Sequence, residues 1–148
     1  MKNLNRILTL LLVLSFVGFV ETAYLTISHY QNIIPPCTTG GCEIVLTSSY
    51  SVIAGLPTAL WGLFYYVGIF ILVSVFKKNG NPKRAVLLLE IVGAGFVGSL
   101  ILLYLQLAVI HAICLYCMGS FAINLLLVIF VSILVKNRNA WLPVGSST

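Results

Sequence analysis

The residues of this chain best equipped for chemistry are four cysteines, which fall in two pairs: Cys37-Thr-Thr-Gly-Gly-Cys42 and Cys114-Leu-Tyr-Cys117. The first pair lies in a short, flexible hexapeptide behind Pro35-Pro36, suited to a small-ring, exposed disulfide. The second is a C-x-x-C opening a helix, where unpaired N–H groups and the positive end of the helix dipole lower a thiol pKa and favour thiolate chemistry. Positions i and i+3 share a helical face, so Cys117 sits one turn deeper than Cys114. Thiol–disulfide exchange moves two electrons through a mixed disulfide, so two pairs in series could relay electrons from an external dithiol to a membrane acceptor. Two other readings compete for the same residues. Static disulfides in a membrane scaffold would account for the count, and a four-cysteine zinc site joined by His29 or His111 would use the C-x-x-C as one half. The C-x4-C spacing is not a familiar second half of a zinc site, and four cysteines admit three pairings.

The elements that must position these residues are written in the composition. Of 148 residues 60% are hydrophobic and only 7% charged, against roughly 25% charged in a soluble domain. Eight basic and three acidic residues cannot coat a water-facing surface, so the chain reads as an all-α integral membrane protein. Its size excludes a large multidomain transporter. Four apolar stretches reach the length of about 20 residues that a bilayer requires: Ile7 to Ile27, Ile53 to Phe76, Ala85 to Leu107 and Cys114 to Val135. The whole of 1–148 is read as a single four-helix membrane bundle. Lys2 and Arg6, then Lys77, Lys78, Lys83 and Arg84, then Lys136 and Arg138 all fall in segments that a four-span topology places on one side. The Lys/Arg bias makes that side cytoplasmic, together with both termini. Nucleic acid is therefore a poor partner despite the net charge of +5, because every basic residue serves topology. Residues 28–52 form the outer loop, and all four cysteines face outward, where disulfides persist. The first apolar run is long and no clear small-x-small cleavage site follows it, so it reads as an uncleaved helix. Asn79-Gly80-Asn81-Pro82 is a turn of helix breakers between antiparallel neighbours, and Gly93, Gly95, Gly98 and Ser99 give the third helix a small face for close packing.

The order of these motifs resembles the vitamin K epoxide reductase family of four-helix membrane thiol oxidoreductases. The resemblance runs from about Tyr24 to Phe121. It rests on Tyr24-Leu25-Thr26 and His29 closing the first helix, Cys37 and Cys42 in the outer loop, Ser48 six residues after Cys42, Gly55-Leu56-Pro57 entering the second helix, Gly62 within it, and Cys114-x-x-Cys117. Other quinone-linked disulfide-forming membrane proteins carry the two cysteine spacings in the reverse order. The resemblance implies that Cys37 exchanges with a reduced partner of thioredoxin fold and that Cys42 passes electrons to Cys114. It further implies that Cys117 reduces a quinone, ubiquinone or menaquinone, and that Ser48 supports the loop or polarises a substrate group. The vertebrate enzymes carry an amide where Thr58 aligns and a tyrosine where this chain has Phe121. Quinone-coupled disulfide formation of the prokaryotic type is therefore preferred over reduction of vitamin K quinone or epoxide. Some prokaryotic members carry a fused thioredoxin-like domain; this chain ends at Thr148, so a separate partner is expected at a prokaryotic cytoplasmic membrane. No metal is expected.

A quinone site needs an apolar cleft with a few polar groups close to Cys117. Helical spacing puts Cys114, Cys117, Phe121 and Asn124 on one stripe of the fourth helix and Thr58, Trp61, Gly62 and Tyr65 on one of the second. The two stripes are expected to face each other, with Thr58, Trp61, Tyr65 and Phe121 as the ring contacts and Asn124 as an interhelical hydrogen bond. Glu21, inside the first span, reads as a buried neutral acid bonded to Thr or Tyr, with proton uptake as the functional alternative.

Overall fold

The computed structural model describes residues 2–38 and 40–137; Arg138 and Thr148 lie outside them. Four long helices dominate: α1 (Lys2–Tyr30), α3 (Thr58–Asn79), α4 (Pro82–Tyr104) and α5 (Leu115–Lys136). Each is long and apolar enough to cross a membrane, and the chain is an integral membrane protein built as a four-helix bundle. A short helix α2 (Cys42–Thr47), a 3-10 turn (Ser49–Ser51) and a hairpin of strands β1 (Val52–Ile53) and β2 (Leu56–Pro57) occupy the connection between α1 and α3.

The second long helix begins at Thr58, five residues later than hydropathy alone suggests. Val52 pairs with Pro57 and Ile53 with Leu56, closing a turn whose central residues, Ala54 and Gly55, both take positive φ. Mirror-image turns of this kind match the twist of a two-stranded hairpin, and Gly55 adopts the required φ without a steric penalty. At the other end of α3 the breaker sequence acts residue by residue. Gly80 takes the left-handed conformation and returns its N–H to the Phe76 carbonyl at 2.8 Å, while the Asn81 side chain caps α4 by accepting from the Lys83 N–H at 3.0 Å. Pro82 follows at the first helical position, where its missing N–H costs nothing.

Polar side chains inside the spans satisfy themselves locally, as an apolar surrounding demands. Ser15, Thr22 and Thr26 each donate to the carbonyl four residues earlier, at 2.7–2.8 Å. Close approach between α1 and α3 depends on glycine: the Tyr66 ring covers Gly18, and a Cβ at Gly62 would come within 2.9 Å of the Thr22 methyl group. The small face expected on α4 is used unevenly. The Tyr65 ring lies over Gly95, whereas Gly93 and Gly98 have open space beside them.

The main core sits in the half of the bundle away from the loop. It gathers Leu8 and Leu11 of α1, Ile69, Val73 and Phe76 of α3, Ala85, Leu88 and Val92 of α4, and Leu127, Val131 and Leu134 of α5, with Tyr66 at its upper edge. A second, smaller cluster lies at the loop end and is made of Cys42, Val45, Ala112 and Cys114, with Cys37, Leu46, Ile110, Tyr116 and Cys117 packed against it.

Candidate thiol-disulfide site

All four cysteines meet in that second cluster. Cys37 and Cys42 are joined by a disulfide, and Cys114 and Cys117 are thiols. The loop disulfide is less exposed than its short, Gly-rich ring suggests: Cys37 is half-buried, but Cys42 and Cys114 are both 0% exposed. One sulfur of the loop pair is therefore reachable from outside, and the other is enclosed beside the C-x-x-C.

Two contacts hold the loop against the C-x-x-C, and a third fixes the start of the C-x-x-C itself. Gly41 lies against the backbone of Ile113, where any side chain would collide with the Ile113 carbonyl. The Tyr116 hydroxyl, from inside the C-x-x-C, donates to the Pro36 carbonyl at 3.1 Å, next to Cys37. Gln106 is buried, and its side-chain carbonyl accepts the Cys114 N–H at 2.9 Å while its backbone carbonyl accepts the Ala112 N–H at 3.1 Å. Gln106 belongs to a π-helical turn (Leu105–Ile110) that continues α4, after which His111 takes positive φ and re-aims the chain into α5. Widened turns of this type recur at functional sites because they redirect the backbone without ending its hydrogen bonding.

Cys114 precedes the span that begins at Leu115 and stands at the N-cap of α5. The Cys117 thiol beside it holds its pKa below the ordinary thiol range; burial works against that, and the N–H groups of Cys117 and Tyr116 add to the lowering. The N-terminal thiol of the C-x-x-C is thus prepared to exist as a thiolate in the cluster that also holds Cys42.

Beside Cys117 lies a cavity of about 530 Å³, within the range of small-molecule sites. Its walls are mostly apolar. Thr58, Trp61 and Tyr65 line it from α3, Gly98 and Ser99 from α4, Cys117, Ser120 and Asn124 from α5, His29 from α1 and Ser48 from the loop. Three of the four expected ring contacts are brought together here, each with its polar atom engaged. Thr58 donates to the Ser51 carbonyl at 2.9 Å, Trp61 donates its indole N–H to the Ile53 carbonyl at 3.2 Å, and the Tyr65 hydroxyl donates to Asn124 Oδ1 at 2.6 Å. Thr58 and Trp61 thus fasten the hairpin over α3. Ser48 donates to the Val45 carbonyl at 2.7 Å, which closes α2.

Phe121 is not among the residues lining this cavity and instead stacks on Phe96 of α4, with ring centroids 5.8 Å apart. The lining stripe of α5 follows Cys117, Ser120 and Asn124, and a residue four positions after Cys117 is rotated toward α4. Asn124 makes the interhelical bonds expected of it, donating to Ser99 Oγ at 2.8 Å and to the Tyr66 hydroxyl at 3.3 Å. Gln106, Ser120 and Tyr116 escaped the sequence reading, and Ser99 was read as part of a packing face alone. Each is an isolated polar residue in an apolar run, and the one available signal was the cost of leaving such a group unpaired in a membrane. Among the described residues no group of three or more His, Cys, Asp and Glu side chains is placed to hold a metal ion.

The arrangement can carry a disulfide from one pair to the other and present the inner thiol to a molecule in the cavity. The vitamin K epoxide reductase family model matches residues 9–132, a range that includes all four cysteines and every residue of the cavity wall named above. With four spans, a loop cysteine pair and a C-x-x-C at the mouth of α5, this membrane redox chain belongs to the vitamin K epoxide reductase family.

Proposed function

We propose that the protein is a membrane thiol:quinone oxidoreductase that oxidises a separate thioredoxin-fold partner and passes the electrons to ubiquinone or menaquinone, supporting disulfide-bond formation. The observation that carries this reading is the graded burial of the cysteines: Cys37 accessible, Cys42 and Cys114 enclosed together, and Cys117 on the wall of an apolar cavity. Static disulfides would have no need of that order.

In the first step a partner thiolate attacks Cys37, the Cys37–Cys42 bond breaks, and the partner's second thiol closes its own disulfide and leaves the loop reduced. The Cys42 thiolate then attacks Cys114 of the Cys114–Cys117 disulfide, Cys117 departs with the electron pair, and Cys37 resolves the Cys42–Cys114 bond. Cys114 and Cys117, now thiols, give two electrons and two protons to the quinone and close again. Each turn converts a partner dithiol and a quinone into a partner disulfide and a quinol. The cavity suits a planar ring by its size and apolar wall, with Ser99, Ser120 and Asn124 among the polar groups that line it. The Lys/Arg bias supports a cytoplasmic-membrane orientation with the cysteine end outward.

Quinone absorbance in detergent tests the reading, with a reduced thioredoxin-fold protein as donor. Turnover is expected in the wild type and is expected to stop in Cys37→Ser, Cys42→Ser, Cys114→Ser and Cys117→Ser. Turnover that survives loss of Cys37 or Cys42 would remove the loop pair from the route. A wild type inactive with both quinone classes and several donors would return the static-disulfide reading.

A further inference from the structure

Glu21 is a carboxyl group placed within a membrane span, half-buried between α1 and α5. Ionisable side chains are expensive in that setting, and they persist where they are used. No Lys or Arg lies in the sequence between Arg6 and Lys77, so the outer half of α1 supplies no permanent cation to neutralise it. Its polar partner is the Ser120 hydroxyl, which donates to Glu21 Oε2 at 3.2 Å. Gly119 makes room for the carboxyl, since even a Cβ there would stand 3.0 Å from Oε1. Ser120 follows Cys117 by three residues on the same face of α5, and both line the cavity, while Glu21 stands behind them. The titratable groups that share its electrostatic surroundings are Cys114, Cys117 and Tyr116 at the start of α5 and Tyr66 on α3. None is a permanent cation.

We infer that Glu21 holds the proton that Cys117 takes up when the Cys114–Cys117 bond breaks, with the Ser120 hydroxyl as the link between them. This deepens the thiol-relay reading and rests on it. When the Cys42 thiolate attacks Cys114, the Cys114–Cys117 bond breaks and its electron pair leaves on the Cys117 sulfur. A proton passes from the Glu21 carboxyl through Ser120 to that sulfur, so no uncompensated thiolate forms beside the apolar cavity. When Cys117 later gives up its electrons its proton leaves with them to the quinol, and Glu21 is reprotonated from the outer side, which receives the proton that Cys42 sheds on becoming a thiolate. Glu21 acts through Ser120 and is a positioning residue for the proton; it does not react with the sulfur itself.

The test uses the full chain in detergent, fully oxidised and mixed with enough dithiothreitol that loop reduction is fast. Appearance of the Cys117 thiol is followed by quenched alkylation and mass spectrometry from acid to alkaline pH. The informative quantity is the ratio of the wild-type rate to that of Glu21→Gln, in which the titration of the attacking thiol cancels. Glutamine keeps the shape of the side chain and an acceptor for Ser120 but holds no exchangeable acid proton. The ratio is expected to reach on the order of 100 at the acid end, a general-acid contribution, and to fall toward one as rising pH deprotonates Glu21. Glu21→Asp should restore a pH-dependent ratio, and Ser120→Ala should behave like Glu21→Gln. A ratio that stays constant across pH, or a Ser120→Ala rate equal to wild type, overturns the assignment. Quinone reduction by the wild type is measured in parallel. Its absence would sink the quinone reading alone, because the Cys117 measurement needs no quinone and still decides the part played by Glu21.

Discussion

The two halves of the bundle are built on different principles. Away from the loop, Leu11, Ile69, Val73, Val92, Leu127 and Val131 are all 0% exposed and pack against one another across four helices. At the loop end the buried cluster is small, sulfur-rich and bordered by a cavity, and its order comes from hydrogen bonds to Gln106, Asn124 and the loop carbonyls. Dispersion contacts in a close-packed interior have no direction, so they hold helices together without prescribing where one sulfur meets another. Hydrogen bonds do prescribe it. The division leaves the packed half to carry the fold and the open half to keep a cavity and an exchangeable disulfide.

Substitutions in each half should separate stability from transfer. Leu127→Ala removes a side chain from the packed half and is expected to cost about 2–5 kcal/mol, read by reversible unfolding in mixed micelles, with turnover per folded molecule unchanged. A comparable loss of turnover would mean that the halves are not separable. Gly41→Val should do the opposite. Its side chain meets the Ile113 carbonyl and pushes Cys42 away from Cys114, so dithiol-driven turnover should fall by about 100-fold, the cost of a misplacement near 1 Å, while the melting temperature stays close to wild type. Full activity in Gly41→Val would show that this contact does not set the approach of the sulfurs.

The smallest expected effect sharpens the electrostatic side of the comparison. With the loop disulfide intact, ultraviolet absorbance of the thiolate should persist as pH falls below the range where an ordinary thiol has taken up its proton, because the lowered pKa of Cys114 favours the charged form. Cys117→Ala removes the largest cause of that lowering and should move the titration to higher pH. An unmoved curve would assign the lowering to the helix terminus alone.

How much of this was legible varied with the kind of residue. The cysteines announced themselves by type and spacing, and the turn at Asn79 to Pro82 by conformational rules that act on each residue locally. The spans followed from hydropathy, although Ile53 to Pro57 was absorbed into the second helix because a hairpin stitched by backbone pairing is apolar too. Phe121 was placed at the cavity because it lies one turn beyond Cys117. Facing is set by the rotation of α5 against α4, which a small error in phase changes from lining the cavity to stacking on Phe96. Thr58 lines the cavity as expected, but its hydroxyl is engaged by the loop, at a carbonyl seven residues earlier in the chain.

By itself, the sequence determined that four helices cross a membrane, that two cysteine pairs sit at one end of them, and that breakers join α3 to α4. Each of these depends on composition or on contacts within a few residues. Only the tertiary structure decided that Cys42 and Cys114 are enclosed together, that Gln106 and Tyr116 tie the C-x-x-C in place, that Cys117 borders a cavity, and that Glu21 stands behind it. Those relations join residues as much as 99 positions apart. They depend on how helices rotate and approach, which packing against neighbours settles and local propensity does not.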